Sequence, residues 1–404
     1  MQRRHHRSRE GLWLIVAVCL LCAVALGALL WKLKPQPPRA DPLFRSCLSG
    51  AWGSLRYQEK LIEPPDRSVN VIALPTNAIS WYLDALSPQV LKQRLRGCGL
   101  AEELAVALQK TATPAPDGAG YLLKPADEFV IGLRAGDRSL LYGLLATHTQ
   151  NVAHTVPFRF ELNTQKDWFE GTHLTPEVES LLRKLVYREG NMHLFSDLPL
   201  VLRHHPDQSL YARLFRALSR EVTLTVELCV TPEENVRELA HYWGWPGREA
   251  AVAERLQAAQ SKPGRQVAPL EDLLPPFARQ RLHQYPAAGD PGFSSCHYTA
   301  MNFFSTQPDL RFTNLTEVGQ SLLQDYLEVP RREYQLGDVI LFDKKGVGIV
   351  HSCNYLAADL VFTKDGGSLI RPWRVARLGD LVDFYSYPKP VTLRFMRRRD
   401  VLKY

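Results

Sequence analysis

Residues 336–367 read LGDVILFDKKGVGIVHSCNYLAADLVFTKDGG, and this stretch decides the fold of the C-terminal part of the chain. Its first eight residues are typical of a turn that enters an apolar strand. A second strand is predicted over 347–356 and a third over 360–364, ahead of the turn formed by Asp365-Gly366-Gly367. Connections this short predict an antiparallel meander with His351 on its middle strand.

A candidate nucleophile precedes the meander, in residues 289–304, which read GDPGFSSCHYTAMNFF. The glycines and proline predict a loop, Ser294 or Ser295 can cap a helix, and the residues that follow suit a short buried helix. Cys296 would lie in the first turn of that helix, where unpaired amides and the helix dipole lower the pKa of a thiol. The alternative is a buried or disulfide-bonded cysteine.

A helix that begins with a cysteine and packs against a meander that carries one histidine can bring a thiol and an imidazole together. The imidazole then deprotonates the thiol or forms an ion pair with it, and a third polar group fixes the orientation of the ring. His297 follows Cys296 directly and would point elsewhere on the helix, so we expect it to be structural.

This arrangement resembles the NlpC/P60 superfamily of papain-like cysteine peptidases and amidases. The resemblance covers about residues 285–390 and depends on Cys296 at a helix start, on residues 337–342 (GDVILF), and on His351 followed by Asn354-Tyr355-Leu356. It implies that Cys296 is the nucleophile and His351 the base. It also implies that a polar residue on the next strand orients the histidine; Thr363 matches that position by register, and Asp365 is the alternative.

The resemblance further implies cleavage of amide bonds in peptides or peptidoglycan stems, without a cofactor. A metal site made of Cys296, His351 and Cys353 is the competing interpretation, since the last two lie on the same face of one strand. Only three ligands are visible and no close Cys/His pair anchors them, so we predict no metal.

The N-terminus predicts a membrane anchor. Residues 1–10 form a basic tail, expected on the cytoplasmic side, and residues 11–31 are an uncharged apolar run about 30 Å long as a helix, enough to cross a bilayer. A Pro-rich linker follows at 32–43. A cleaved signal peptide is the alternative, because Ala23-Val24-Ala25 can serve as a cleavage site. Both interpretations place the body outside the cytoplasm, on the periplasmic side of the inner or plasma membrane.

Residues 44–262 are predicted to form a mixed α+β accessory domain without a catalytic constellation, separate from the C-terminal domain at 275–404. Its individual predictions are a hairpin over 128–145, a strand over 158–162, a helix from Thr175 to Gly190, a strand over 221–230, a helix that starts at Thr231, and a helix over 248–260.

Charge and cysteine usage narrow the function further. Residues 1–34 hold six basic side chains and one acidic one, which leaves 43 basic and 41 acidic side chains, out of 49 and 42, for residues 35–404. A nearly neutral body argues against binding to nucleic acid. Five cysteines lie beyond the predicted span, and export permits a disulfide such as Cys47–Cys98.

The predicted fold class is therefore α+β, with an N-terminal transmembrane helix, a mixed α+β middle domain and a C-terminal papain-like NlpC/P60-type domain that has an antiparallel sheet. The predicted function is a membrane-anchored extracytoplasmic thiol hydrolase that cleaves amide bonds through a thioester. The alternatives are a catalytically silent envelope-binding module and acyl transfer through the same thioester. The sequence does not indicate an oligomeric state.

Overall fold

The computed structural model describes residues 44–401 except 48, 70–78, 117, 162–168, 191, 246, 263, 265, 288, 290–294 and 387–388. The predicted tail at 1–10, membrane span at 11–31 and linker at 32–43 lie outside the described residues. Within the described ranges no helix is both long and apolar enough to span a membrane. The architecture is α+β with antiparallel sheets, as predicted.

The elements are numbered in chain order. The strands are β1 (Arg45–Ser46), β2 (Ser54–Ile62), β3 (Trp81–Asp84), β4 (Ala112–Pro114), β5 (Gly120–Leu123), β6 (Phe158–Glu161), β7 (Tyr187–Glu189), β8 (Met192–Phe195), β9 (Glu221–Cys229), β10 (Val267–Pro269), β11 (Tyr326–Glu328), β12 (Val339–Lys344), β13 (Gly348–Ala357), β14 (Leu360–Lys364), β15 (Trp373–Arg377) and β16 (Val391–Arg398). The helices are α1 (Asp66–Val69), α2 (Pro88–Gly97), α3 (Glu102–Lys110), α4 (Asp127–Gly132), α5 (Ala135–Leu145), α6 (Val152–Thr155), α7 (Pro176–Leu185), α8 (Leu198–His204), α9 (Gln208–Leu218), α10 (Val236–Trp243), α11 (Glu249–Gln260), α12 (Leu270–Leu273), α13 (Pro276–Arg281), α14 (Cys296–Met301), α15 (Leu315–Asp325) and α16 (Leu378–Tyr385).

The C-terminal part is built on a six-stranded antiparallel sheet with the order β11-β16-β12-β13-β14-β15. The predicted meander is confirmed, because β12, β13 and β14 are neighbours in this order. Burial explains why these strands form, since all five residues of β14 are buried. A strand with both faces covered has an almost continuous apolar sequence rather than an alternating one.

Gly337 shapes the turn that enters β12. Its φ of 87° lies in the left-handed region that favours glycine, and a β-carbon there would lie 2.1 Å from the ring of Phe304. The turn is fixed to β13 by two backbone hydrogen bonds of 2.8 Å, in which Gly337 donates to Tyr355 and Tyr355 donates to Asp338. The predicted turn before this strand is therefore correct, and only glycine fits it without strain.

A second sheet, with the order β1-β2-β9-β10, links distant parts of the chain. β2 and β9 pair antiparallel over nine residues, from Ser54 opposite Cys229 to Ile62 opposite Glu221. The segment between them, which includes residues 66–218, supplies a hydrophobic cluster of its own. It is therefore an insertion between two paired strands.

The boundary predicted between residues 262 and 275 does not separate the hydrophobic cores. One cluster combines Leu228 and Trp243, from the predicted accessory region, with Phe362 and Trp373 of the six-stranded sheet. Thr223 of β9 also donates a hydrogen bond to the carbonyl oxygen of Val375 on β15, at 3.4 Å. The flanks of the insertion thus share a core with the C-terminal part.

Several predictions for the middle of the chain are confirmed, and three are wrong. The strands at 158–162 and 221–230 and the helix at 248–260 are present as β6, β9 and α11. The hairpin predicted over 128–145 is wrong, because α4 and α5 occupy those residues. The helix that begins after Thr175 ends at Leu185 rather than at Gly190, which lies between β7 and β8. The helix predicted to start at Thr231 begins at Val236, with Asn235 as its cap.

The shared core gives the first prediction. Leu228 on β9 is fully buried within it, so Leu228→Ala should lower the free energy of unfolding by about 2–5 kcal/mol in chemical denaturation. The matched control is Thr225→Ala at an exposed position of the same strand, which should change it by less than about 0.5 kcal/mol. Equal effects of the two variants would contradict the shared core.

Candidate active site

The structure places Cys296 at the first residue of α14, as predicted. The helix begins there because the hydroxyl of Ser295 accepts a hydrogen bond from the backbone N–H of Tyr298, at 3.2 Å. Two side-chain hydrogen bonds hold α14 on the sheet: Asn354 donates to the carbonyl oxygen of Ala300 at 3.0 Å, and the indole of Trp373 donates to Thr299 at 2.9 Å. The position of Cys296 is therefore set by a cap and by contacts with β13 and β15.

His351 lies on β13 and is completely buried. Its Nε2 is 3.0 Å from Oγ1 of Thr363 and 3.9 Å from Oδ1 of Asp365. Its Nδ1 is buried and has no hydrogen-bond partner among the described residues. The structure thus brings together His351 and both residues that were proposed to orient it.

The register explains this contact. Asn354 on β13 lies opposite Phe362 on β14, so by alternation His351 and Thr363 both project from the other face of the sheet. Phe342, opposite His351, and Arg374, opposite Thr363, share that face. α14 packs mainly against the other face, which carries Ser352 and Asn354. The helix and the imidazole are therefore on opposite faces of the sheet.

The thiol of Cys296 lies close enough to the backbone N–H groups of Ser352 and His297 for both to lower its pKa. Tyr355 exchanges its backbone hydrogen bonds with the β12 side, so by alternation the N–H of Ser352 points toward β14. The pairs between β13 and β14 run from Asn354 to Ala357, beyond this point. The thiol interacts electrostatically with Asp365 and Tyr385, and both of these residues lie against His351.

Burial controls the protonation of both groups. It raises the pKa of the Cys296 thiol, and the hydrogen bonds from the backbone N–H groups of Ser352 and His297 offset this only in part. Burial also lowers the pKa of His351 to about 4. The prediction that the start of the helix lowers the pKa of the thiol is therefore wrong in direction, because burial outweighs the helix terminus. At neutral pH the thiol is protonated and the imidazole is uncharged.

The remaining sequence predictions for this region have simple outcomes. His297 is hydrogen-bonded through Nδ1 to Oγ of Ser352 at 2.9 Å, which fits a structural role. Cys47 and Cys98 are free thiols, so the candidate disulfide is not formed. Among the described residues no group of three or more His, Cys, Asp or Glu side chains is placed to hold a metal ion.

Two further residues, Tyr385 and Arg374, lie around the histidine, and Glu221 contacts Arg374; none of the three was predicted to act on His351. The ring of Tyr385 on α16 stacks on His351 with a centroid distance of 4.3 Å and an interplanar angle of 14°. Arg374 is buried and donates a hydrogen bond to Asp365 at 2.7 Å, and Glu221 of β9 pairs with Arg374 at 3.6 Å. The cross-strand pairing of Thr363 with Arg374 is a signal that could have identified Arg374. No sequence signal indicates Tyr385 or Glu221.

A cavity of about 980 Å³ lies at the other end of α14, where Ala300, Met301 and Phe304 form part of its wall. The opposite wall comes from α10 and α11, and Asp338 and Arg397 complete it. Cys296 and His351 do not line this cavity. It is therefore separate from the cysteine–histidine cluster.

No family model, curated protein or solved structure matches this chain.

The buried neutral imidazole gives a prediction about pH. The unfolded chain takes up a proton at His351 near pH 6.5, whereas the folded chain does so only near pH 4, so the free energy of unfolding should fall between these values. Protonation of His351 in the unfolded chain should lower the free energy of unfolding by about 3 kcal/mol at pH 4. In denaturant titrations at pH 7 and pH 4, His351→Gln should lose less stability than the wild type by roughly this amount.

The control for this experiment is His241→Gln, whose side chain is 66% exposed. That variant replaces an exposed histidine in the same way and should change the free energy of unfolding at pH 7 by less than about 0.5 kcal/mol. An unchanged pH dependence in His351→Gln would mean that His351 is accessible to protons in the folded chain.

Proposed function

We propose that the C-terminal part of the chain is a cysteine-dependent amide hydrolase that acts outside the cytoplasm. The observation that carries the proposal is the state of His351: Nε2 is held by Thr363, and Nδ1 is buried without a partner among the described residues. With Asp365 also on the Nε2 side, the proton belongs on Nε2 and the lone pair on Nδ1. An oriented ring with one free basic nitrogen is what general-base catalysis requires.

The reaction follows the chemistry of a thiol and an imidazole. Nδ1 of His351 takes the thiol proton as Sγ of Cys296 attacks the carbonyl carbon of the amide. The same proton then passes to the leaving amine, and a thioester remains. Water, activated by His351, hydrolyses the thioester and regenerates the thiol. Backbone N–H groups at the start of α14 supply hydrogen bonds to the oxyanion.

This mechanism starts from a closed, uncharged site. Cys296 is 5% exposed and His351 is 0% exposed, and Tyr385 covers the imidazole. Substrate access therefore requires that α16 move away from the imidazole. Proton transfer then accompanies attack, in contrast to enzymes that hold a preformed thiolate–imidazolium pair.

The substrate class and the location follow from the resemblance and from the N-terminus. Members of the NlpC/P60 superfamily commonly cut peptide bonds of the cell wall, so a peptidoglycan stem peptide is the proposed substrate. The uncharged run at 11–31 is the proposed anchor, with residues 44–404 on the periplasmic side. An anchored hydrolase would act on wall material close to the membrane.

A catalytically silent binding module is the second candidate, favoured by two observations. α14 and His351 lie on opposite faces of the sheet, and the pKa of each reactive group is shifted toward its uncharged form. In that case the cluster is a buried polar network that stabilises one arrangement of the sheet.

Cleavage assays separate the two candidates. The full chain in detergent should release fragments from purified peptidoglycan, and Cys296→Ala should reduce the rate at least about a thousandfold because the thioester cannot form. His351→Ala should reduce it roughly a hundredfold or more. Cys229→Ala removes a half-buried thiol on β9 and should retain the wild-type rate. Equal rates for Cys296→Ala and the wild type would exclude this hydrolase mechanism.

The resting state is tested by alkylation. Because burial raises the pKa of Cys296, its reaction with iodoacetamide should be slow at pH 6–7 and accelerate only above about pH 9. Mass spectrometry of the peptide that contains Cys296 gives the rate, with a free cysteine peptide as the reference. A rate that is already at its plateau below pH 7 would show a preformed thiolate and contradict the uncharged resting site.

A further inference from the structure

A network of buried charges, formed by Glu221, Arg374 and Asp365, connects β9 to the imidazole of His351. Arg374 donates a hydrogen bond to Oδ2 of Asp365 at 2.7 Å, and Oδ1 of Asp365 is 3.9 Å from Nε2 of His351. On its other side, Nε of Arg374 is 3.6 Å from the carboxylate of Glu221, and Nη1 donates to the carbonyl oxygen of Val222 at 2.9 Å. Glu221, Arg374 and Asp365 are each at most 8% exposed.

A contribution to folding stability does not by itself explain this network of buried charges. A buried ion pair contributes little net stability, because desolvation of the charges offsets their attraction, and apolar residues of similar size often serve as well. The network also joins Glu221, in the predicted accessory region, to Arg374, which lies about 150 residues later in the sequence. Such an arrangement is expected where charge position matters for a neighbouring group.

Asp365 is the member that acts on the ring. Although burial by itself would raise the pKa of Asp365, the charge of Arg374 lowers it, and the net direction is down. The carboxylate is therefore ionised at neutral pH and attracts a proton on the nearer ring nitrogen, Nε2. Loss of Arg374 would remove the largest charge that holds the pKa of Asp365 down, and the preference of the ring for a proton on Nε2 would weaken.

We propose that Arg374 and Glu221 are positioning residues for His351: Glu221 and Val222 hold Arg374, Arg374 holds the carboxylate of Asp365, and Asp365 keeps the ring in the tautomer that leaves Nδ1 free. The proposal deepens the proposed hydrolase and rests on it for its purpose. It also assigns a role to β9, which supports the site from within the region at 44–262.

The groups that face the imidazole come from every element around it. They are Asp365 after β14, Arg374 on β15 and Tyr385 on α16, together with His297 on α14, which interacts electrostatically with the ring from the other face of the sheet. At pH 7 only Asp365 and Arg374 of this set carry charge. A change at Arg374 therefore alters the ionic environment of the ring directly.

The test reads the tautomer of His351 rather than activity. The full chain in detergent is labelled with ¹⁵N-histidine, and its imidazole nitrogens are recorded at pH 7. The His351 signals are assigned by their loss in His351→Gln. The wild type should show a proton on Nε2, whereas Arg374→Gln should raise the Nδ1–H fraction severalfold. Arg374→Lys keeps a cation beside Asp365 and should restore most of the wild-type spectrum.

The matched control is Arg377→Gln on the same strand, where Arg377 pairs with Asp359 and is 44% exposed. It should leave the His351 signals unchanged. Near-ultraviolet circular dichroism selects the folded variants, and if Arg374→Gln does not fold, Glu221→Gln takes its place with a smaller shift in the same direction. An unchanged tautomer in the folded variant overturns the proposal.

The two proposals fail in different ways. A tautomer shift in Arg374→Gln, together with full cleavage by Cys296→Ala, would support the positioning role of Arg374 and Glu221 and overturn the hydrolase. An unchanged tautomer in Arg374→Gln, together with loss of cleavage in Cys296→Ala, would overturn the positioning role of Arg374 and Glu221 and support the hydrolase.

Discussion

The register of β13 within the six-stranded sheet is the constraint on which the site depends. It places His351 beside Phe342 and on the face that also carries Thr363 and Arg374. Because side chains alternate along a strand, a shift of one residue would move His351 to the face covered by α14 and leave Thr363 without it. Gly337 and its backbone bonds to Tyr355 fix this register at the start of β12, where a larger residue would collide with Phe304.

The pairing of β2 with β9 is the second constraint, because it makes the region at 44–262 part of the same structure as the site. The nine-residue ladder holds Glu221 and Val222 against Arg374, while Leu228 joins the core that contains Phe362 and Trp373. Residues 66–218 are inserted between these two strands and have their own core.

Much of the C-terminal fold could be predicted from local sequence, whereas the residues that surround His351 could not. The strands over 339–364 are bounded by clear turn residues and are apolar, so their order was predictable. The error at 128–145 came from the period: Leu141 and Leu145, both fully buried, are four residues apart, which is helical spacing, and Gly136 was mistaken for a turn residue. Glu221 lies far from His351 in sequence, and only tertiary packing brings them into one chain of contacts.

The charge state of Cys296 depends on burial: a cysteine at the start of a helix is stabilised as a thiolate near the surface but stays protonated when it is buried. A helix terminus favours an anion by about 0.3–1 kcal/mol near the surface, whereas removal of a charged group from water costs several kcal/mol. At 5% exposure the second effect is larger, and the thiol stays protonated. Since oxidants and alkylating agents attack the thiolate, a protonated buried thiol is protected from both. In the proposed hydrolase such a thiol would lose its proton only during the reaction, and the free nitrogen of His351 would be the group on which the rate depends.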